Sequence, residues 1–159
     1  MSEKPFENVA KTNFFYYSPQ HREALARMVY AVKERKLGFL LLGEYGTGKT
    51  FMSKELQKEC LGESFKFIFI SNPRITPLEF IKEIYCQLDL SLDKTEQFTK
   101  LDYLRAITNK FQEYSRDDIY TIIIIDEAQS IEDTGFLEEI RLFLNIQKEE
   151  IFFTIIFFG

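Results

Sequence analysis

The sequence predicts an α/β protein, a three-layer α/β/α sandwich around a parallel sheet, and three observations carry that expectation. Four near-continuous apolar runs, Leu37 to Leu42, Phe65 to Ser71, Ile119 to Ile125 and Ile151 to Phe158, leave no polar alternation for a sheet with one wet face. They alternate with segments whose apolar residues recur at helical spacing. A glycine-rich octet, Gly43-Glu44-Tyr45-Gly46-Thr47-Gly48-Lys49-Thr50, stands where the first run gives way to a helix.

The elements follow in order. Ser18-Pro19 predicts a helix start, Ser as N-cap and Pro at the first position, with Leu25, Met28, Val29 and Val32 as its stripe and an end near Lys36. The first strand is Leu37 to Leu42. A second helix runs from Lys49 to about Cys60, ended by Gly62, and Phe65 to Ser71 is the second strand. Thr76-Pro77-Leu78-Glu79 is a capping box opening a third helix with Leu78, Ile81, Ile84 and Leu88 buried. Leu104, Ile107, Phe111 and Tyr114 form the stripe of a fourth helix, and Ile119 to Ile125 the third strand. Phe136, Ile140 and Phe143 place a fifth helix between about 135 and 148. In the last strand, Ile151 to Phe158, only Thr154 is not apolar.

The octet is a complete GxxxxGKT loop. Its glycines let the backbone curl with N–H groups inward, and the helix behind it offers its positive end to phosphate. Lys49 reaches the β and γ phosphates and the Thr50 hydroxyl ligates Mg²⁺. Seventy-six residues after Thr50, the run Ile122 to Ile125 leads into Asp126-Glu127. Acidic residues also end buried strands as simple caps. With the phosphate loop in the same chain, the pair predicts an ATP hydrolysis site in which Asp126 holds the metal and Glu127 polarises the attacking water.

Bulk composition narrows the class. With 159 residues, 45% hydrophobic and 16% aromatic, the chain buries a core, which excludes a disordered protein. A net charge of −5 argues against a surface built to neutralise a nucleic-acid backbone. The charge is uneven: residues 1–36 carry +3 and residues 127–150 carry −5, which fits solvated helix faces or subunit contacts. Cys60 and Cys86 lack CxxC spacing and there is one His, so neither a zinc site nor a disulfide framework is indicated. There is no signal-peptide pattern and no apolar run near the ~20 residues that span a bilayer. A cytoplasmic location is expected.

Three stretches, Phe14 to Thr50, Ile124-Ile125-Asp126-Glu127-Ala128-Gln129, and Leu137 to Asn145, resemble the AAA+ ATPases of the ExeA, or general secretion pathway A, type. The resemblance runs from about Lys4 to Gly159. It implies a P-loop NTPase fold of the AAA+ kind, in which a strand later in the chain, here Ile151 to Phe158, lies between the loop strand and the acidic strand. It divides the chain into an N-terminal segment and helix covering the nucleotide site (1–36) and an ATPase core (37–159). Carried over by residue, it implies ATP binding by Gly43, Glu44, Tyr45, Gly46, Thr47, Gly48, Lys49, Thr50 and Phe51, Mg²⁺ at Thr50 and Asp126, and catalysis by Lys49 and Glu127.

Asn72 stands where related ATPases place a polar residue that restrains the catalytic glutamate; the alternative is a turn former before Pro73. Phe15 to Ser18 and His21 lie where the adenine is covered, or else serve core packing and the surface. Gln129 either orients a phosphate or a neighbouring subunit, or hydrogen-bonds at a helix start. Arg141 is a charge donor to a neighbour's nucleotide, or the partner of Glu138 or Glu139.

Two departures stand out. Phe51 replaces the second small hydroxyl residue usual after GKT. Ending at Gly159, the sequence lacks the C-terminal strand and helical lid, which would leave Leu37 to Leu42 at a sheet edge and predicts a fragment. The expected function is Mg²⁺-dependent ATP hydrolysis driving a secretion or pilus assembly machine. The chain is expected to work as a homo-oligomer with an inner-membrane partner, in the cytoplasm or at the cytoplasmic face of that membrane in a longer parent. The alternatives are an ATPase adaptor of DNA transposition and a nucleotide-binding switch with little turnover.

Overall fold

A computed structural model describes residues 18–159 apart from 45, 63, 91–96, 133 and 148–149. The elements are α1 (Pro19–Lys33), β1 (Gly38–Leu41), α2 (Lys49–Glu59), β2 (Phe65–Ile70), α3 (Pro77–Gln87), α4 (Lys100–Arg116), β3 (Tyr120–Ile125), α5 (Thr134–Leu144) and β4 (Phe153–Phe158). The four strands form one sheet in the order β1-β4-β3-β2, all pairs parallel. The last strand therefore lies between the loop strand and the acidic strand, as expected.

Register explains why the strands are apolar throughout. Ile68, Ile123 and Ile155 are aligned across the sheet, and so are their neighbours at every second position. Because side chains alternate between faces, this row, with Ile70, Ile125 and Phe153, packs under α3, α4 and α5. Tyr120, Ile122, Ile124, Ile156 and Phe158 face the other way and meet Met28 and Val32 of α1 and Met52 and Leu56 of α2. Both faces are dry, hence the absence of alternation.

Helix ends were legible locally. Ser18 caps α1, with Pro19 in the first turn. Thr76 and Glu79 make the reciprocal bonds of a capping box on α3, with Thr76 N donating to Glu79 at 2.7 Å. A second box, Thr99 with Asp102, opens α4 on a Thr-x-x-Asp spacing that the sequence also carries. One stripe residue is corrected. Leu78 is 39% exposed, because the first turn of α3 points it outward, and Phe80 takes its place in the core beside Phe136.

The strand boundaries also shift. Residues 151 and 152 stand outside β4, and where the strand begins the side-chain oxygen of Gln147 accepts both the Phe152 and Phe153 N–H groups at 3.0 Å. Thr154, the odd residue of the last apolar run, donates its hydroxyl to the Lys36 carbonyl at 2.6 Å and lies 3.0 Å from the Tyr120 hydroxyl. That ties the α1–β1 connection to the middle of the sheet. At the other edge, the Gln87 carboxamide pairs with both backbone groups of Phe69 at 2.8 and 2.7 Å, occupying positions a further strand would use. The edge strand β1 leaves Leu40 58% exposed.

Cys60 is buried and Cys86 exposed, and both are free thiols. Among the described residues no helix is long and apolar enough to cross a membrane.

Candidate functional site

The carboxyl ends of β1, β3 and β4 meet where the strand order departs from the chain order, the place where open α/β sheets leave a crevice. On one side is the loop between β1 and α2. Gly48 caps α2 in the left-handed conformation, φ 83°, which glycine adopts without a Cβ penalty. Gly43 is required by space: a Cβ there would lie 2.9 Å from Thr47 Oγ1. Gly43 N donates to the Gly159 carbonyl at 2.9 Å, so the loop is fastened to the tip of β4.

The loop is closed by its own side chains. Lys49 Nζ donates to the carbonyls of Gly43 and Glu44 at 2.7 and 2.9 Å, and Thr47 Oγ1 donates to Glu44 O at 2.8 Å. The ammonium thus sits across the mouth of the loop, above the amino end of α2, where backbone N–H groups and the helix dipole favour an anion. Tyr45 lies outside the described residues. Phe51 is buried at the first turn of α2.

The acidic pair closes the other side. Asp126 N donates to Ile70 O at 2.9 Å, which fixes the chain as it leaves β3. Asp126 Oδ1 accepts from Glu127 N at 2.9 Å, and Oδ2 accepts the Thr50 hydroxyl at 2.7 Å. Two residues 76 apart in sequence are in contact, and they are the two the sequence assigns to one metal ion. Glu127 has φ 53° and ψ 37°, and Gln129 Nε2 donates to its Oε2.

Other candidates fall in different places. Asn72 is exposed, and its Oδ1 accepts from Arg74 N at 3.1 Å, the bond of an Asx turn; among the described residues it makes no hydrogen bond with Glu127. Arg141 donates to Glu138 at 2.9 Å on the exposed face of α5, and each holds the other charged: the hydrogen bond lowers the Glu138 pKa and raises that of Arg141. His21 meets the site. Its Nε2 donates to the Thr47 carbonyl at 2.8 Å, while Nδ1 lies 2.7 Å from Ser18 Oγ. The α1 cap and the phosphate loop are thereby joined. Residues 15–17 lie outside the described residues.

A cleft of about 360 Å³ opens beside this tie, with His21, Ala24, Leu41 and Met52 supplying an apolar wall and Gly43 and Lys49 a polar end. A cleft with an apolar wall and Lys49 at its polar end suits a ligand with an apolar part and an anionic end. Gly159 at the tip of β4 carried no signal as a site residue; its part appears only when β4 is set beside β1.

Comparison with known proteins bears on the family and the fold. The family model described as AAA domain matches residues 32–159. General secretion pathway protein A of Aeromonas hydrophila is 31% identical over 155 residues, covering 94% of this chain and 27% of that protein, so the chain spans about a quarter of its relative. Among solved structures, Cdc6p from Pyrobaculum aerophilum superposes with a TM-score of 0.67 at 16% identity, covering 94% of this chain and 41% of that one. PCH-2 of C. elegans gives 0.55 at 15% identity, covering 91% and 38%. At such identities these two report the shared fold alone.

Proposed function

The chain belongs to the AAA domain family of ATPases, and on that premise we propose that it binds ATP with Mg²⁺ and hydrolyses it to ADP and phosphate. The observation that carries this reading is the 2.7 Å bond between the Thr50 hydroxyl and the Asp126 carboxylate, made beside Lys49 and Glu127. A hydroxyl and a carboxylate are hard oxygen donors suited to Mg²⁺. Thr50 and Asp126 would hold the ion from the protein side, with its other positions open to phosphate and water. The ion, when bound, offsets charge on the β and γ phosphates.

The rest of the work falls to the chain. The loop N–H groups and the amino end of α2 hold the phosphates, and Lys49 turns its ammonium from the Gly43 and Glu44 carbonyls toward them. Glu127 orients the attacking water and draws its proton as the bond to the leaving phosphate oxygen breaks. His21 holds the loop against α1, where the base lies on the apolar wall. Of the three catalytic residues that the sequence proposes, Lys49 and Glu127 keep their roles in this reading, and Asn72, engaged with Arg74, has none.

We further propose that turnover serves a secretion or pilus assembly machine, with the chain acting as part of a homo-oligomer. This follows the likeness to general secretion pathway protein A, 31% identical over nearly all of the chain. The test is Mg-ATP turnover by the wild type beside Lys49→Ala and Glu127→Gln. Lys49→Ala should fall to background and Glu127→Gln far below the wild type, at a residual rate that is still measurable; a wild type no faster than Lys49→Ala would end the ATPase reading.

A further inference from the structure

We propose that Gln129 is a positioning residue for Glu127, its side-chain amide fixing the orientation of the carboxylate that takes the water proton. The inference rests on the ATPase reading above and adds to it a residue that does not itself touch the reacting atoms.

Four observations carry it. Glu127 lies in the left-handed region, φ 53°, which is uncommon for a residue with a Cβ and turns the chain sharply as it leaves β3. Its carbonyl then accepts the Ser130 N–H at 2.8 Å, closing the short turn Ala128–Ser130. In this turn the side chains of residues 127 and 129 meet, and Gln129 Nε2 donates to Glu127 Oε2. The other end of the carboxamide lies over the tip of β4: a Cβ on Gly159 would be 3.7 Å from Gln129 Oε1 and 3.6 Å from Gln129 N. Gly159 is also the residue whose carbonyl receives Gly43 N.

One carboxamide therefore spans from the strand tip that anchors the phosphate loop to the catalytic carboxylate. The chemistry of the link matters. A neutral amide donor engages one carboxylate oxygen and leaves the charge in place, so Oε1 remains to accept from water. A second carboxylate at position 129 would repel Glu127, and alanine would leave its several torsions unrestrained. Asn72, the residue the family resemblance suggested for contact with Glu127, is engaged with Arg74 instead.

A double-mutant cycle of Gln129→Ala and Glu127→Gln tests this, with turnover and binding of a fluorescent ATP analogue read on each purified chain. Gln129 is exposed, so the substitution is expected to leave melting unchanged. Gln129→Ala should lower kcat about tenfold, as expected for loss of orientation, with analogue affinity unchanged within about twofold. On the Glu127→Gln background it should cause no further loss. Gln129→Glu should also lower kcat.

An equal loss on both backgrounds, an unchanged kcat in Gln129→Ala, or a raised kcat would overturn the proposal, the last by making the amide a restraint. The two readings fail separately. A wild type that binds the analogue but turns over no faster than Lys49→Ala removes the ATPase reading and this one with it. An active wild type matched by Gln129→Ala removes this one alone.

Discussion

Replacing Gln147 by methionine probes how β4, the strand that reaches the site, is held. The Gln147 side chain is 5% exposed, and its oxygen accepts the N–H groups of Phe152 and Phe153, both at 3.0 Å and both buried. Methionine has nearly the same length and removes the acceptor. Two buried donors are then left unmade, at about 1–3 kcal/mol each. An opposing effect exists: Gln147 Nε2 is itself buried with no hydrogen-bond partner among the described residues, and methionine removes that penalty, worth about 1–2 kcal/mol. At mid-range values, about 4 kcal/mol for the two donors against about 1.5 for the amide, the net loss is about 2.5 kcal/mol, a large share of the ~5–15 kcal/mol typical of a domain. For a chain of this size that corresponds to a fall in Tm of roughly 5–10 °C. Urea titration with the m-value compared between variants is the assay, since an unchanged m with a lower midpoint isolates stability. A Gln147→Met protein as stable as the wild type, or more so, would refute the reasoning, because relaxation around Phe152 and Phe153 or the relieved amide would then dominate.

Further outcomes follow from the site and the helix caps. Gly43→Ala sets a methyl 2.9 Å from Thr47 Oγ1, whose hydroxyl is held by Glu44 O, so the loop must open; ATP affinity should fall about tenfold or more with the melting curve unmoved, as checked by calorimetry and circular dichroism. His21→Phe keeps a ring on α1 but removes the donor to Thr47 O, and the loss of about 1 kcal/mol should weaken ATP binding roughly fivefold. The carboxyls of Glu79 and Asp102 are held below the usual range, Glu79 chiefly by the Thr76 N–H and Asp102 chiefly by the Thr99 hydroxyl. A lowered pKa in the folded state gives stability that is present above the ordinary carboxylate range and lost as pH falls through the folded value. Thermal melts from neutral pH down to about pH 3 should therefore show an acid decline, and Glu79→Gln with Asp102→Asn should flatten it. An unchanged slope would contradict the capping account.

Much of this molecule was legible because its signals are local or periodic. Pro19 after Ser18 and Glu79 three residues after Thr76 are helix starts written in adjacent residues, and both formed. The place of β4 between β1 and β3 followed from the family resemblance, and the two dry faces followed from unbroken runs such as Ile122 to Ile125. What escaped depends on residues distant in sequence or on one unusual torsion. His21 gave no sign of Thr47, 26 residues away. The Gln129 contact exists because Glu127 adopts a positive φ, which neighbouring residues do not announce. Leu78 was misplaced because helical spacing alone does not say which way the first turn faces, and Phe80 fits the gap beside Phe136 better.

Isothermal titration of the purified chain with Mg-ATP, beside Lys49→Ala, bears most directly on the central claim that the loop behind β1 holds a triphosphate. The wild type should bind at one site per chain. Lys49→Ala, losing a charged donor worth about 1.5–3 kcal/mol, should bind some 10- to 150-fold more weakly. Folded wild-type protein that releases no heat with Mg-ATP, or a Lys49→Ala variant that binds equally well, would contradict the account.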